Sequence, residues 1–249
     1  MELLIAMLAM PGLGWVVAGA VAAGVVRGFT GFGTAMIYLP VAATVVDPVT
    51  AFVSLVVMDI WGPVPLVPRA WRDAARRDLA LLTAGVVLML PVGITILSAM
   101  TGDTYRWVVG IGVFCALAAM LSGVRYPRPL TVPVILGTGG IGGFLGGASG
   151  LAGPPVVVLY MASSLPPQTV RATLLLFLII FDLLVLPVLW WRGDLEAGAV
   201  VLGAVLVVPY GIAGVVGQRF FRPEAERTYR AIAYLTIAFS ALVALPIWR

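Results

Sequence analysis

Uncharged apolar runs recur along the whole chain: Leu3–Val26, Gly28–Val46, Leu79–Met100, Trp107–Val124, Thr131–Val170, Ala197–Gln218 and Ala231–Trp248. Each is close to, or longer than, the roughly 20 helical residues that cross a hydrocarbon core of about 30 Å. In that solvent every backbone N–H and C=O must find a partner inside the protein, which leaves only helices and closed barrels. Barrel strands alternate apolar and polar residues over about ten positions, and these runs do not alternate. Charged residues are 10% of the chain and apolar ones 61%, against about a quarter charged in a soluble domain. The expected fold is an all-α integral membrane protein of about 8–10 membrane segments without a soluble domain.

Composition narrows the chemistry further. The chain has no histidine, the commonest metal ligand and the commonest proton shuttle near neutral pH. The single cysteine, Cys115, lies mid-span, which excludes an internal disulfide. The residues call for no cofactor and no metal. All fifteen basic residues are arginine, a bias that in a membrane protein sets orientation first and gives no reason to expect nucleic acid. Leu3–Met10 follows Glu2 and lacks a basic leader, so it does not read as a cleaved signal peptide.

The chain resembles itself. An offset of 119 residues superimposes Gly24, Gly28 and Gly31 on Gly143, Gly147 and Gly150, and Pro48 and Thr50 on Pro167 and Thr169. Pro91-Val-Gly93 then corresponds to Pro209-Tyr-Gly211, and Thr104-Tyr-Arg106 to Thr228-Tyr-Arg230. The order of these matches predicts two homologous halves, residues 1–124 and 125–249, within one transmembrane domain. Each half reads as a long Gly-rich segment followed by three plainer spans. The segment either crosses once, broken, or folds back as a hairpin.

Charge favours the hairpin. Short loops rich in arginine face the cytoplasm. The two richest hold Arg69, Arg72, Arg76 and Arg77, and Arg219, Arg222, Arg227 and Arg230. A single crossing per Gly-rich segment puts these loops on opposite sides, whereas hairpins put both inside with Arg125, Arg128 and Arg171. Arg106, Arg192 and Arg249 are then left outside. Five legs per half would invert the halves relative to each other, as in many secondary transporters.

The Gly-rich segments carry the candidate site. Gly139, Gly143 and Gly147, with Gly142, Gly146 and Gly150, are spaced by four, the small-xxx-small pattern of closely packed membrane helices. Packing does not account for Ala148–Pro155. Pro154 and Pro155 remove two backbone donors and predict a break near Ser149–Gly153, with the helix restarting at the prolines. A restart at membrane depth presents free N–H groups and a positive dipole end, both of which suit an anion. Arg27-Gly-Phe-Thr-Gly-Phe-Gly-Thr34 offers a second break near Gly28, Gly31 and Gly33. Two facing breaks would make one anion site, lined by the Thr30, Thr34 and Ser149 hydroxyls. Arg27 is either part of it or snorkels to an interface. Asp59 and Asp182 are embedded charges, which are costly in a membrane and hence functional candidates. They would carry a coupling proton, pair with an arginine or cap a proline-freed backbone group. Trp61, Trp71, Trp190, Trp191 and Trp248 fit an interfacial aromatic belt.

The stretch Gly142-Gly-Phe-Leu-Gly-Gly-Ala-Ser-Gly-Leu-Ala-Gly-Pro-Pro155, followed by Leu165-Pro-Pro-Gln-Thr-Val-Arg-Ala-Thr173, resembles the second-half motif of the TauE/SafE sulfite exporter family. Gly28–Pro40 is similar to the first-half counterpart, and the likeness spans essentially the whole chain. The resemblance implies a prokaryotic inner-membrane transporter that exports sulfite, sulfoacetate or other organosulfonates. It carries substrate binding onto Gly150, Gly153, Pro154, Pro155, Arg171 and Thr173, and onto Gly28, Gly31 and Gly33. Phe32 and Thr34 stand where more glycine is expected, so the two half-sites need not be equivalent. The expected partners are a small anion and the lipid bilayer, with a homodimer as one assembly open to the chain. An intramembrane aspartyl-type enzyme built on Asp59 and Asp182, or a passive anion channel, are the competing classes.

Overall fold

The computed structural model describes residues 7, 9–62, 64, 67–122, 130–220 and 226–247, without the side chains of 29, 30, 220 and 226–230. These residues form eleven helices. The first half supplies α1 (Leu13–Thr30), α2 (Thr34–Ala42), α3 (Pro48–Trp61), α4 (Val67–Asp73), α5 (Arg76–Ala99) and α6 (Gly102–Leu121). The second supplies α7 (Val132–Ser149), α8 (Gly153–Met161), α9 (Pro167–Arg192), α10 (Ala197–Phe220) and α11 (Glu226–Ala244). Helices α5, α6, α7, α9 and α10 are long and apolar enough to cross a membrane, while α1, α3 and α11 contain shorter apolar stretches. Their outer faces carry exposed Leu88, Leu183 and Leu235, as lipid-facing surface requires. Trp61, Trp190 and Trp191 are exposed at helix ends, and Trp71 is exposed on α4. Trp248 lies outside the described residues, as do Arg125, Arg128, Arg222 and Arg249.

Local signals set the helix ends. The Asp47 carboxylate accepts from the Thr50 amide at 3.0 Å, capping α3 ahead of Pro48 in its first turn. Thr101 caps α6 in the same way through the Thr104 amide, and Pro167 opens α9. Such caps satisfy donors that would otherwise be orphaned at a helix start.

Both Gly-rich segments break where glycine permits it. α1 ends at Gly31 (φ +81°), whose N–H donates to the Arg27 carbonyl at 2.8 Å. α7 ends at Gly150 (φ +78°), whose N–H donates to the Gly146 carbonyl at 2.7 Å. These are left-handed C-terminal caps, open to glycine at little cost. After each, the chain reverses. Val41 and Val45 lie against Gly19 and Gly12, and Val156 and Ala152 against Gly142 and Gly146, so each pair of arms runs antiparallel.

The glycines before the breaks bring helices together at backbone contact. A Cβ on Gly139, Gly143 or Gly147 would stand 2.2–2.7 Å from backbone atoms of Leu82, Val86 or Leu90 on α5. On the other side of the bundle, one on Gly24 or Gly28 would stand 2.5 or 2.3 Å from carbonyl oxygens of Tyr210 or Gly214 on α10. The remaining packing follows the same exchange: α2 meets α11 and α8 meets α6, while α3 meets α10 and α9 meets α5. Helices α3 and α9, which bear Asp59 and Asp182, also pack on each other.

The segment with four arginines between residues 69 and 77, read from sequence as a loop, contains the seven-residue α4. It packs on α9 with Ala70 buried.

Candidate functional site

The two breaks meet. A cavity of about 50 Å³ is bounded by Gly33, Thr34 and Ala35 from the first and by Gly150–Pro154 from the second. At roughly 10–15 Å³ per water-sized occupant, it holds three to five waters or a small ion of comparable bulk. Its charged lining residues are Arg27, Asp59 and Asp182. Phe32, Met36, Leu55, Met120, Leu178 and Phe181 complete an apolar wall.

Arg27 and Asp59 form a buried ion pair, with Nη1 2.9 Å from Oδ2 and side-chain exposures of 12% and 9%. The same Nη1 donates to Thr34 Oγ1 at 3.2 Å. Thr34 donates to Asp59 Oδ1 at 3.3 Å and lies 3.1 Å from the Tyr210 hydroxyl, which itself donates to Oδ1. Asp59 therefore collects a cation and two hydroxyls. Burying such a pair is costly unless its remaining lone pairs are satisfied, and Thr34 and Tyr210 satisfy them here.

Two sets of donors remain. Arg27 bonds through Nη1 alone, which leaves Nε and Nη2 without acceptors among the described residues. The amides of Leu151, Ala152 and Gly153, and of Gly33, Thr34 and Ala35, likewise donate to no acceptor there. All these residues line the cavity. Unpaired N–H groups at a membrane-embedded helix start are tolerated only where protein, water or ligand meets them. Asp182 is 7% exposed, lines the same cavity and accepts no hydrogen bond from the described residues.

Other residues singled out from the sequence are placed elsewhere. Gly28 packs on α10, where its Cβ position abuts Gly214 and Gln218. The Ser149 hydroxyl donates to the Leu145 carbonyl at 2.7 Å. Thr173 accepts from the Ala75 amide at 3.0 Å and donates to the Thr169 carbonyl at 2.8 Å, tying α9 to the turn between α4 and α5. Arg171 is exposed on the first turns of α9. Gly31 shapes the first break and Pro155 is half-buried in the first turn of α8, neither of them lining the cavity. The Thr30 side chain lies outside the described residues. Tyr210 was not foreseen. Its signal was available, because it stands where the corresponding Pro-x-Gly of the first half has Val92.

The family described as Sulfite exporter TauE/SafE matches residues 16–244. This chain belongs to that family. It is also 28% identical over 226 residues to the probable sulfite/organosulfonate exporter TauE of Cupriavidus necator, a match covering 87% of this chain and 88% of the relative. No solved structure matches the chain. As a member of an exporter family, the chain is a multi-pass membrane transporter of sulfur-containing anions.

Proposed function

We propose that this TauE/SafE member is a secondary transporter that exports sulfite, sulfoacetate or another organosulfonate across the bacterial inner membrane by alternating access with proton coupling. The observation that carries the reading is a cavity bounded by both helix breaks, around which Arg27 Nε and Nη2 and six backbone amides have no acceptor among the described residues. A sulfonate or sulfite head has three oxygens, so it accepts several such donors at once and replaces its water shell with them. Donors at ionised groups make shorter and stronger bonds than neutral ones. Gly33, Thr34, Gly150, Gly153 and Pro154 frame the substrate in this reading, with Arg27 at its centre.

The exchanged packing of α1 on α10 and α7 on α5 supports two inverted halves, residues 1–124 and 125–249, that rock around the site. With the arginine-rich loops cytoplasmic, α2 runs outward from the cavity and α8 inward. An aspartyl enzyme is disfavoured by the ties on Asp59, because no hydrogen bond joins its carboxyl to that of Asp182.

The test is a ligand series on purified protein followed by transport in liposomes. Sulfite, sulfoacetate and taurine should raise the unfolding temperature more than matched carboxylates do. Preloaded sulfite should accelerate uptake of labelled sulfite, which a passive channel does not support. If no sulfur anion binds at any pH, the reading is wrong.

A further inference from the structure

The duplication leaves the two embedded carboxylates in opposite situations. Asp59 is held by Arg27, Thr34 and Tyr210. At the same 119-residue offset, the positions corresponding to Arg27 and Thr34 are Gly146 and Gly153, and in the match of Pro91-Val-Gly93 with Pro209-Tyr-Gly211, whose offset is 118, Tyr210 corresponds to Val92. The second half thus carries no counterpart of the groups that hold Asp59, and Asp182, which lines the same cavity and is nine-tenths buried, accepts no hydrogen bond from the described residues.

Counting charge around the cavity gives one cation, Arg27, and two carboxylates, Asp59 and Asp182. An anion entering that set meets a site already negative by one if both carboxylates are ionised. Desolvated like charges around one cavity repel. Asp59 already has a cation and two hydroxyl donors on its carboxyl, whereas Asp182 accepts no hydrogen bond from the described residues. Asp182 is the one free to change.

Resting on the anion-transporter reading above, we propose that Asp182 takes up one proton whenever an anion occupies the cavity, so that anion and proton cross together one to one. The proton comes from water on the side where the anion enters and is released to water where the anion leaves. In its neutral form Asp182 also gains an O–H donor, which completes the ring of donors around the anion.

Other ionisable groups do not substitute for it. Among the elements packed on α9, α3 contributes Asp59, and Arg27 faces it across the cavity. Tyr210 of α10 is engaged with Asp59. The remaining candidates sit at one end of α9. Asp73 of α4 accepts from Gln168, Arg76 of α5 donates to the Trp71 carbonyl, and Asp78 of α5 accepts from Tyr160 of α8. Arg69 and Arg72 of α4 and Arg77 of α5 belong to the same corner, which Thr173 joins to α9. Thr173 lies nine residues before Asp182, about 13 Å along the helix.

The experiment is calorimetric binding of methanesulfonate, a monoanion that does not itself titrate between about pH 5 and 9. Measurement in two buffers of different ionisation enthalpy gives the protons taken up per anion. Above the pH at which Asp182 titrates in the empty site, wild type should take up close to one proton, and its Kd should rise about tenfold per pH unit. In Asp182→Asn the uptake should fall to zero and the Kd should become flat with pH. If Asp182→Asn does not fold, Asp182→Glu carries the test, because exchanging the titrating group must move the midpoint of the linkage. Wild-type binding without proton uptake at any pH overturns the proposal and leaves the transporter reading standing. Uptake that persists in Asp182→Asn, or a midpoint unmoved in Asp182→Glu, also overturns it by placing the proton elsewhere. Failure of wild type to bind either methanesulfonate or sulfite at every pH removes both readings.

Discussion

Replacing Gly28 by alanine tests whether the α1–α10 contact positions the site. The added Cβ would lie 2.3 Å from the Gly214 carbonyl oxygen, with Gln218 N and Gly217 Cα behind it at 2.9 and 3.0 Å. A relaxed carbon–oxygen contact is about 3.3 Å or more, so the two helices must separate by roughly 1 Å. Overpacking of this kind costs about 1–3 kcal/mol, and alanine returns about 0.8–1.0 kcal/mol of helix propensity. The balance is a loss near 1 kcal/mol, or about 2–4 °C in Tm for a chain of this size. The same interface holds Tyr210, whose carbonyl oxygen abuts Gly24 one turn before Gly28. Separation by about 1 Å therefore takes the Tyr210 hydroxyl out of reach of Thr34 on the α1–α2 arm, 3.1 Å away in the packed state, and loosens the network that fixes Arg27 on Asp59. A hydrogen bond to a charged group contributes about 1.5–3 kcal/mol, so methanesulfonate affinity should fall about tenfold. Gly139→Ala is the control. Its Cβ meets the Leu82 carbonyl at 2.2 Å, but it lies eleven residues before Gly150, about 16 Å along the helix. It should lose similar stability and retain its affinity. Thermal unfolding and calorimetry on both variants decide the matter. A Gly28→Ala protein as stable as wild type would refute the contact argument, and equal affinity losses in the two variants would refute coupling through Tyr210.

Two further substitutions probe the site itself. Asp59→Ala strands Arg27 in a buried setting and should cost about 3–5 kcal/mol. Adding Arg27→Ala should recover much of that stability, whereas additive losses in chemical unfolding would show that the pair is not coupled. Gly150→Leu combines a φ of +78° with a Cβ 2.2 Å from Leu39 Cδ1, and should not give monodisperse protein. Gly150→Ala paired with Leu39→Ala removes the overlap and leaves the left-handed strain of about 1–2 kcal/mol, together with the cavity left by Leu39. Its size-exclusion profile should therefore be restored, and an aggregated double variant would disprove the steric account.

What the sequence made legible follows from how local each feature is. The breaks were visible because φ values near +80° at Gly31 and Gly150, and prolines at 154 and 155, are local demands. The close packing of Gly139, Gly143 and Gly147 was visible because a period of four is also local. Helix α4 was missed because four arginines between 69 and 77 outweighed its short buried face at Ala70. Thr173 was placed by motif at the substrate, yet its hydroxyl serves a turn 98 residues away in the chain. The ion pair was harder still. Asp59 was legible as an embedded charge, but its partners come from α1, α2 and α10, and nothing in one helix names a residue on another.

The 119-residue offset could have gone further than it did. Matching positions, such as Gly28 with Gly147, locate the helix contacts that both halves need in order to pack. They say little about chemistry, because a shared scaffold is what any duplicated membrane bundle retains. The chemistry lies at the positions that fail to match. Arg27 stands against Gly146 and Thr34 against Gly153, while in the Pro-x-Gly match, offset by 118, Tyr210 stands against Val92, and all three of the unmatched polar groups converge on one carboxylate. A strictly symmetric pair of half-sites would have given both aspartates the same partners and left neither free to respond to a ligand. Under the proposed coupling, holding one carboxylate and leaving the other without a hydrogen bond would confine the proton to a single place.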